Sequence, residues 1–198
     1  MILQSILQPV ALAIQTRDGQ SYTVRRATPG DAELLVELLS RLSDRTLWLR
    51  YMAARPFSAE LARREAARML AGSARDHITL IVFEPSAGAE VAVAVAELVV
   101  DADGATAEVA LLVRDDAQGR GIGSLLLRRL VQTAQATGVA YLRADVLAEN
   151  AATLRMLRSL GLPYTVTRHP GAMQVIARVP RGEELLGRAV PRRALVSQ

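Results

Sequence analysis

Three glycines at alternate positions, Gly119, Gly121 and Gly123, precede an amphipathic helix predicted over residues 122–137. Glycines let the backbone approach a ligand closely, and a helix start presents unpaired N–H groups at the positive end of its dipole. This combination favours a phosphate or pyrophosphate ligand. In a dinucleotide-binding fold the glycine motif follows the first strand of a βαβ unit. Such a fold is not expected here, because this loop follows a predicted antiparallel meander. A turn without a ligand stays open as the alternative for this loop.

Two acidic residues lie in strand-like, otherwise apolar runs and are the candidate general bases. Glu108 lies on the strand that leads into the glycine loop, and by the period of two it shares a face with Ala110 and Leu112. An apolar setting of this kind makes a carboxylate a better base. Glu97 is the rival candidate, within the run 91–100. For both acids, a structural role in an ion pair is the alternative.

Missing residue types exclude several classes of chemistry. All 24 basic residues are Arg, and the sequence has neither Lys nor Cys. A Walker A phosphate loop needs Lys, and thiol catalysis, disulfides and Cys-ligated zinc sites need Cys. Only His77 and His169 could serve a His-based hydrolase or metal site. We therefore expect no metal, and chemistry by carboxylates, hydroxyls, backbone amides and Arg.

Length and composition predict one globular domain. The 198 residues are 51% apolar and 22% charged, which suffices for a buried core. Nucleic-acid binding is not expected, because the net charge is only +4, the Arg residues are scattered and aromatic residues make up 4%. No segment is long and apolar enough to cross a membrane, and the absence of a targeting signal favours a cytoplasmic location. We expect a flexible leader over 1–9, the domain over 10–180 and a loose or partly helical tail over 181–198.

The periodicity of apolar residues predicts a mixed α/β sheet. A hairpin around Asp18-Gly19 is followed by helices, and Thr28-Pro-Gly-Asp31 is a typical helix start. In the third helix, Arg68 is expected to face solvent. An antiparallel meander follows, and then the order β-loop-α-β-α-ββ. Strands are predicted at 10–16, 21–26, 78–83, 91–100, 105–113, 139–147, 164–168 and 173–179, with helices at 28–40, 43–53, from 58, 122–137 and 151–160.

The glycine loop and its surroundings resemble the GNAT superfamily of N-acetyltransferases. The family motif, Gln/Arg-x-x-Gly-x-Gly/Ala, is matched by Gln118, Gly121 and Gly123, and the segment 145–161 resembles the second cofactor segment of the family. The resemblance covers about residues 20–180. A narrower resemblance, to the Pat-type bacterial protein lysine acetyltransferases, is carried by the early hairpin, Thr28–Asp31, residues 42–51 and residues 113–121.

This resemblance implies acetyl-CoA as cosubstrate and assigns roles to individual residues. Loop amides would hold the CoA pyrophosphate, the strand end before the loop would pair with pantetheine, and Asn150 would contact the same arm. A Glu in the position of Glu108 is a recurrent general base in the family, and Arg120 is placed to meet phosphate. The implied cofactor-binding residues are Leu111, Leu112, Val113, Gln118, Gly119, Arg120, Gly121, Ile122, Gly123, Ser124 and Asn150.

One departure from the family pattern concerns the proton donor to the leaving thiolate. Many members carry a Tyr seven residues after the Asn, where this chain has Leu157. Tyr164, Ser124 or water could replace it, the thiolate could leave unassisted, or catalysis could be lost. The expected function is acetyl transfer to a primary amine, with a protein lysine as the acceptor, for example on an acyl-CoA synthetase. A non-catalytic acyl-CoA sensor and a small-molecule acetyltransferase are the alternatives, and the sequence leaves the oligomeric state open.

Overall fold

The chain folds around one mixed sheet flanked by helices. The computed structural model describes residues 11–16, 19–52, 58–72, 76–85 and 88–180. Its strands are β1 (Leu12–Gln15), β2 (Ser21–Arg26), β3 (His77–Glu84), β4 (Val91–Val100), β5 (Thr106–Val113), β6 (Tyr141–Leu147), β7 (Tyr164–His169) and β8 (Ala172–Arg178). Its α-helices are α1 (Ala32–Ser40), α2 (Asp44–Tyr51), α3 (Ala59–Leu70), α4 (Ile122–Thr137) and α5 (Ala151–Ser159).

This element order confirms the predicted mixed α/β class. The meander β3–β4–β5 and the following β-loop-α-β-α-ββ succession stand where the periodicity placed them, and α4 has the predicted bounds. Strand β6 begins at Tyr141 rather than at Val139. The predicted leader over 1–9, the tail over 181–198 and Asp18 of the hairpin turn lie outside the described residues.

The strands of the sheet follow the order β1-β2-β3-β4-β5-β6-β8-β7. Neighbours are antiparallel except β5 and β6, which are parallel. The β5–β6 ladder contains only Thr106 with Tyr141, Ala107 with Leu142 and Glu108 with Arg143. Both strands continue past these pairs without bonding to each other, so a gap opens between them in the middle of the sheet.

Apolar residues cover both faces of the sheet. On one face α4 buries Leu126, Leu130 and Ala134 against the strands. On the other face α1 and α3 pack through Leu35, Leu38, Leu39, Ala62, Ala66 and Met69. Because the strands alternate their side chains between the faces, residues of β5 contribute to both cores. Leu112 joins the core under α1 and α3, whereas Val109 joins the core under α4.

The predicted helix start at Thr28 is confirmed as a capping box. The backbone N–H and the hydroxyl of Thr28 donate to Oδ2 of Asp31, at 2.6 and 2.9 Å. Arg25 holds the same carboxylate with two hydrogen bonds of 2.8 and 2.7 Å. These bonds from Arg25 lower the pKa of Asp31 although the residue is buried. One 3₁₀ turn, Pro29–Asp31, precedes α1, so the helix proper begins later than predicted.

Candidate active site

A cleft of about 780 Å³ occupies the gap between β5 and β6. Helix α2 contributes Thr46, Arg50 and Tyr51 to its wall, and α5 contributes Met156 and Leu157. The predicted site residues that line it are Glu108, Leu111, Leu112, Val113, Gln118, Gly119, Gly121, Ile122, Gly123, Ser124 and Asn150. The cleft thus brings together residues that are separated by more than 40 positions in the sequence.

Left-handed glycines shape the loop at one end of the cleft. Gly119 and Gly121 have φ values of +78° and +92°, which L side chains rarely adopt. Gly121 is the N-terminal cap residue of α4, and the helix begins at Ile122. The first N–H groups of a helix have no acceptor within it, and they carry the positive end of its dipole. The cleft wall formed by Gly121–Ser124 is therefore suited to an anionic group.

The last glycine of the loop sits where α4 and α5 approach each other. A Cβ atom at Gly123 would lie 3.1 Å from Sδ of Met156, closer than most real contacts of that kind. Met156 therefore packs on the glycine backbone at the floor of the cleft. The sequence contains no local signal for this contact, because the partner lies on another helix.

Side-chain hydrogen bonds join the loop to α2. Gln118 donates from Nε2 to the hydroxyl of Thr46 and to the carbonyl of Val113, at 3.0 Å each. Asp115 accepts from the backbone N–H and hydroxyl of Ser43, at 2.9 and 2.6 Å, and from Thr46 at 2.8 Å. Burial opposes the charge on Asp115, but these hydrogen bonds outweigh it and lower its pKa. The loop is thereby fixed before any ligand arrives.

Arg120 is placed differently from the expectation that it faces a phosphate. Its guanidinium donates to Oε1 of Gln20 at 3.2 Å, to the hydroxyl of Tyr22 at 3.0 Å and to the carbonyl of Asp116 at 2.9 Å. These partners hold the side chain toward β2, and Arg120 is not part of the cleft wall. The expected contact between this guanidinium and a phosphate stays a prediction, and it would require the side chain to leave these partners.

Asn150 lies after the carboxyl end of β6, across the cleft from the glycine loop, at the start of α5. Its Oδ1 accepts from the backbone N–H of Thr153 at 3.1 Å, which makes it the N-cap of the helix. The preceding residue, Glu149, accepts from Nε1 of Trp48 at 2.7 Å and from Arg45 at 3.0 Å. Helix α2 is therefore bound to both sides of the cleft, to the glycine loop and to the loop before α5.

Glu108 lies at the point where β5 and β6 separate. It shares a face with Ala110 and Leu112 as predicted, but the apolar setting expected for its carboxylate is wrong. The side chain is 48% exposed, and its Oε2 accepts from Nη2 of Arg143 at 3.2 Å. The pairing of β5 with β6 brings this cation next to Glu108, and single-strand periodicity carries no information about it.

Glu97 lies on the same face of the sheet, buried among Arg50, Arg68 and His77. Arg68 and His77 each approach its carboxylate within 3 Å, and Arg50 donates to it at 3.1 Å. Burial opposes ionisation, but the hydrogen bonds from His77 and Arg68 and the charges of both arginines lower its pKa to about 2. Glu97 is a weak base in this setting. The Arg68 side chain is 46% exposed, so it faces solvent as predicted while its guanidinium also bonds Glu97.

Candidate proton donors to a leaving group are sparse around the cleft. Leu157 lines the wall, and Ser124 contributes a hydroxyl. Tyr164 lies on β7 opposite Ala177, at the edge of the sheet and away from the cleft wall. Tyr51 lines the cleft but donates to Glu65 at 3.1 Å, and burial together with the charge of Glu65 raises the pKa of the phenol. Its hydroxyl therefore keeps its proton.

A match to a known domain family decides the class of this site. Residues 22–163 match the family model described as Acetyltransferase (GNAT) domain. The chain belongs to this family. The diverging strands, the glycine loop and α4 all lie within the matched residues.

Relatives of this GNAT domain carry the Pat name. Acetyltransferase Pat from Mycolicibacterium smegmatis is 32% identical over 160 residues, which are 80% of this chain and 46% of that protein. The GNAT domain of PAT from S. lividans has a crystal structure with a TM-score of 0.73 and 28% identity, covering 85% of this chain and 96% of that one. The cAMP-binding acyltransferase from Mycobacterium smegmatis has a TM-score of 0.60 and 25% identity, covering 94% of this chain and 54% of that one.

The chain accounts for only part of the length of two of these relatives. The chain spans about half the length of the curated relative and of the cAMP-binding acyltransferase.

Within the described residues there is no group of three or more His, Asp or Glu side chains able to hold a metal. None of the helices in that part of the chain is long and apolar enough to span a membrane.

Several residues of the GNAT site were not foreseen from its motifs. Thr46, Arg50 and Tyr51 come from α2, Met156 from α5 and Arg143 from β6. Their roles depend on contacts between elements distant in sequence. The composition of residues 43–51 gives a partial indication of such a role. This helix has too few apolar positions to be buried in the core, and its other residues are polar or aromatic.

Proposed function

We propose that this GNAT domain transfers the acetyl group of acetyl-CoA to a primary amine, with a protein lysine as the acceptor and Glu108 as the general base. One observation carries the proposal. The cleft between the diverging strands holds the glycine loop, Asn150 and the carboxylate of Glu108 in a single cavity. Family membership supplies the class of reaction, and the cavity supplies a place for donor and acceptor to meet.

The cleft fits a CoA thioester in size and in chemistry. A volume of about 780 Å³ is within the range of small-molecule pockets. The amides of Gly119–Ser124 and the α4 dipole would hold the pyrophosphate. The edge of β5 at Leu111–Val113 is not paired with β6, so its backbone groups can bond the pantetheine amides. Asn150 lines the other side of the same cleft.

Amide formation requires an uncharged amine next to the thioester. Glu108 would accept the proton lost by the acceptor nitrogen, directly or through one water. The nitrogen lone pair attacks the thioester carbonyl carbon, the carbon–sulfur bond breaks and its electron pair stays on sulfur. The proton on Glu108 is then released to solvent or to the thiolate. Since Glu97 has a pKa of about 2 and is buried beside Arg50 and Arg68, it is the weaker candidate for this role.

The leaving thiolate needs little help. A thiol has an ordinary pKa of about 8.5, so the sulfur can depart as the anion at neutral pH. The hydroxyl of Ser124 lies in the cleft wall and could donate to it. Leu157, which takes the place of a phenol in many relatives, cannot. This apolar residue is the one observation that favours the alternative of an acyl-CoA sensor without transferase activity.

A protein acceptor is supported by the Pat relatives. The cavity wall contains Glu108 and Asp145 but also Arg50 and Arg155, so its charge is balanced and the choice of a protein lysine rests on the relatives. The Pat-type resemblance implies acyl-CoA synthetases as acceptor proteins. Because this chain lacks Lys, it offers no lysine of its own for modification.

The direct test combines binding with turnover. Calorimetric titration with acetyl-CoA should show saturable binding, and free thiol should appear when a purified acyl-CoA synthetase is added. Glu108→Gln should lower kcat about 100-fold and change the acetyl-CoA Kd less than twofold, as expected for loss of a general base. Absence of binding would contradict the family-based donor. Binding without thiol release across protein and small-amine acceptors would favour the sensor, and saturation by a small amine alone would exclude the protein acceptor.

A further inference from the structure

We propose that Arg143 is a positioning residue that holds the Glu108 carboxylate at the opening of the cleft. The inference rests on the proposed function, since it assigns a partner to the proposed base. Arg143 is not part of the cleft wall and would act only through Glu108. Its role was not predicted by the motifs of the sequence.

The two residues are partners in the last pair of the β5–β6 ladder. Glu108 stands opposite Arg143, and no further pairs connect the two strands. Nη2 of Arg143 donates to Oε2 of Glu108 at 3.2 Å. The contact therefore lies at the vertex of the gap, where the backbone of β5 stops bonding to β6 and becomes available to a ligand.

Other acids fix Arg143 in turn. Its Nη2 also lies 3.2 Å from Oδ1 of Asp101, which follows β4, and its Nη1 lies 3.6 Å from Oδ2 of Asp145 on β6. The Arg143 side chain is 25% exposed, against 48% for Glu108. The guanidinium is thus held from three sides, whereas the carboxylate it contacts reaches toward solvent and the cleft.

This arrangement restricts a side chain that would otherwise rotate freely. An exposed Glu loses considerable rotamer entropy when it is ordered, and a fixed partner reduces the cost of holding it in a productive orientation. The bond to Arg143 uses Oε2 and leaves Oε1 for the acceptor proton. The charged groups near Glu108 are Arg143, Asp101 and Asp145, together with Arg50, which lines the cleft and is paired with Glu97.

The test is a double-mutant cycle of Arg143→Gln and Glu108→Gln in the full chain. Arg143→Gln should lower kcat about tenfold in the wild-type background and less than twofold in the Glu108→Gln background. Arg143→Lys should recover part of the loss, and the effect of Arg143→Gln should fall on kcat, with the KM for acetyl-CoA changed less than twofold. Arg63→Gln is the matched control, because it makes the same change at an exposed position on α3. It should leave kcat and the KM for acetyl-CoA unchanged.

The outcomes separate the two proposals. If Arg143→Gln lowers kcat equally in both backgrounds, Arg143 does not act through Glu108 and the inference is wrong, while the role of Glu108 stands. If Glu108→Gln keeps the wild-type rate, the proposed base itself is wrong. A measurement independent of turnover is the position of the Glu108 carboxylate in a crystal structure of Arg143→Gln. The carboxylate should lose its single orientation there, and an unchanged orientation would overturn the inference even for an inactive protein.

Discussion

Nη2 of Arg68 donates to both carboxylate oxygens of Glu97, at 2.9 and 2.7 Å, and thereby joins α3 to β4. Arg50 from α2 and His77 from β3 bond the same carboxylate. Glu97 is only 3% exposed. Four elements, α2, α3, β3 and β4, therefore meet at one buried negative charge.

Replacing Glu97 by Gln should destabilise the protein by about 3 kcal/mol, because removal of one member of a buried ion pair leaves the other charges uncompensated. The free energy of unfolding from urea titration measures this. Glu60→Gln is the matched control, since both members of the Glu60–Arg64 pair have side chains that are 73% exposed, and it should cost less than about 0.5 kcal/mol. Equal losses in the two variants would contradict the importance of the buried pair.

The free energy of unfolding should fall at acidic pH, and protonation of Glu97 should account for part of the fall. The fold lowers the pKa of this group from 4.5 to about 2. Its contribution is therefore complete above the unfolded value, and it is lost as the pH falls from about 4.5 toward 2. The size of the shift corresponds to about 3 kcal/mol. Urea titrations at several pH values should show a shallower decline for Glu97→Gln, and parallel curves would exclude this assignment.

Changing a glycine of the loop should separate ligand binding from stability. Gly119 and Gly104 have φ values of +78° and +67°, and a Cβ atom at either would meet nothing within 4 Å. Replacing either glycine by alanine should lower the free energy of unfolding by about 1 kcal/mol, because a residue with a Cβ atom is strained in the left-handed backbone conformation. Because only Gly119 lines the cleft, Gly119→Ala should also weaken acetyl-CoA binding at least tenfold by calorimetry. Equal affinities for the two variants would show that this loop does not contact the donor.

The single Trp of the chain should report ligand binding. Trp48 donates to Glu149 at 2.7 Å, and the next residue, Asn150, lines the cleft. We expect acetyl-CoA to shift the emission of Trp48, since the ligand contacts the segment that carries its hydrogen-bond acceptor. Glu149→Ala should abolish most of the shift, and Glu149→Gln, which keeps an acceptor oxygen, should retain it. Unchanged emission at a saturating concentration established by calorimetry would contradict this coupling.

The elements that could be predicted from sequence are those fixed by local rules. The capping box at Thr28, the bounds of α4 and its end at Gly138 follow from short-range chemistry, and the structure agrees. The glycine loop was located correctly for the same reason, since its backbone conformation is encoded by Gly119 and Gly121 themselves.

Side-chain partners across the sheet could not be predicted. The environment of Glu108 depends on the register of β5 against β6, and that of Glu97 on hydrogen-bond partners from α2, α3 and β3. Arg120 is directed away from the cleft by Tyr22 and Gln20, nearly one hundred residues earlier in the sequence. Periodicity gives the face of a strand on which a side chain lies, but not which residues of other elements it meets there.

Helix α5 forms one side of the cleft, and none of its residues is fully buried. Its apolar residues Leu154 and Leu157 pack only partly against the core under α4. A donor in the cleft would cover the surface of Leu154 and Leu157 that the protein itself leaves unburied. The bound ligand would then form part of the apolar core under α4. Part of the binding free energy is then used to order this helix. Amide hydrogens of α5 should accordingly exchange faster than those of α4 in the free protein and gain the most protection when acetyl-CoA binds.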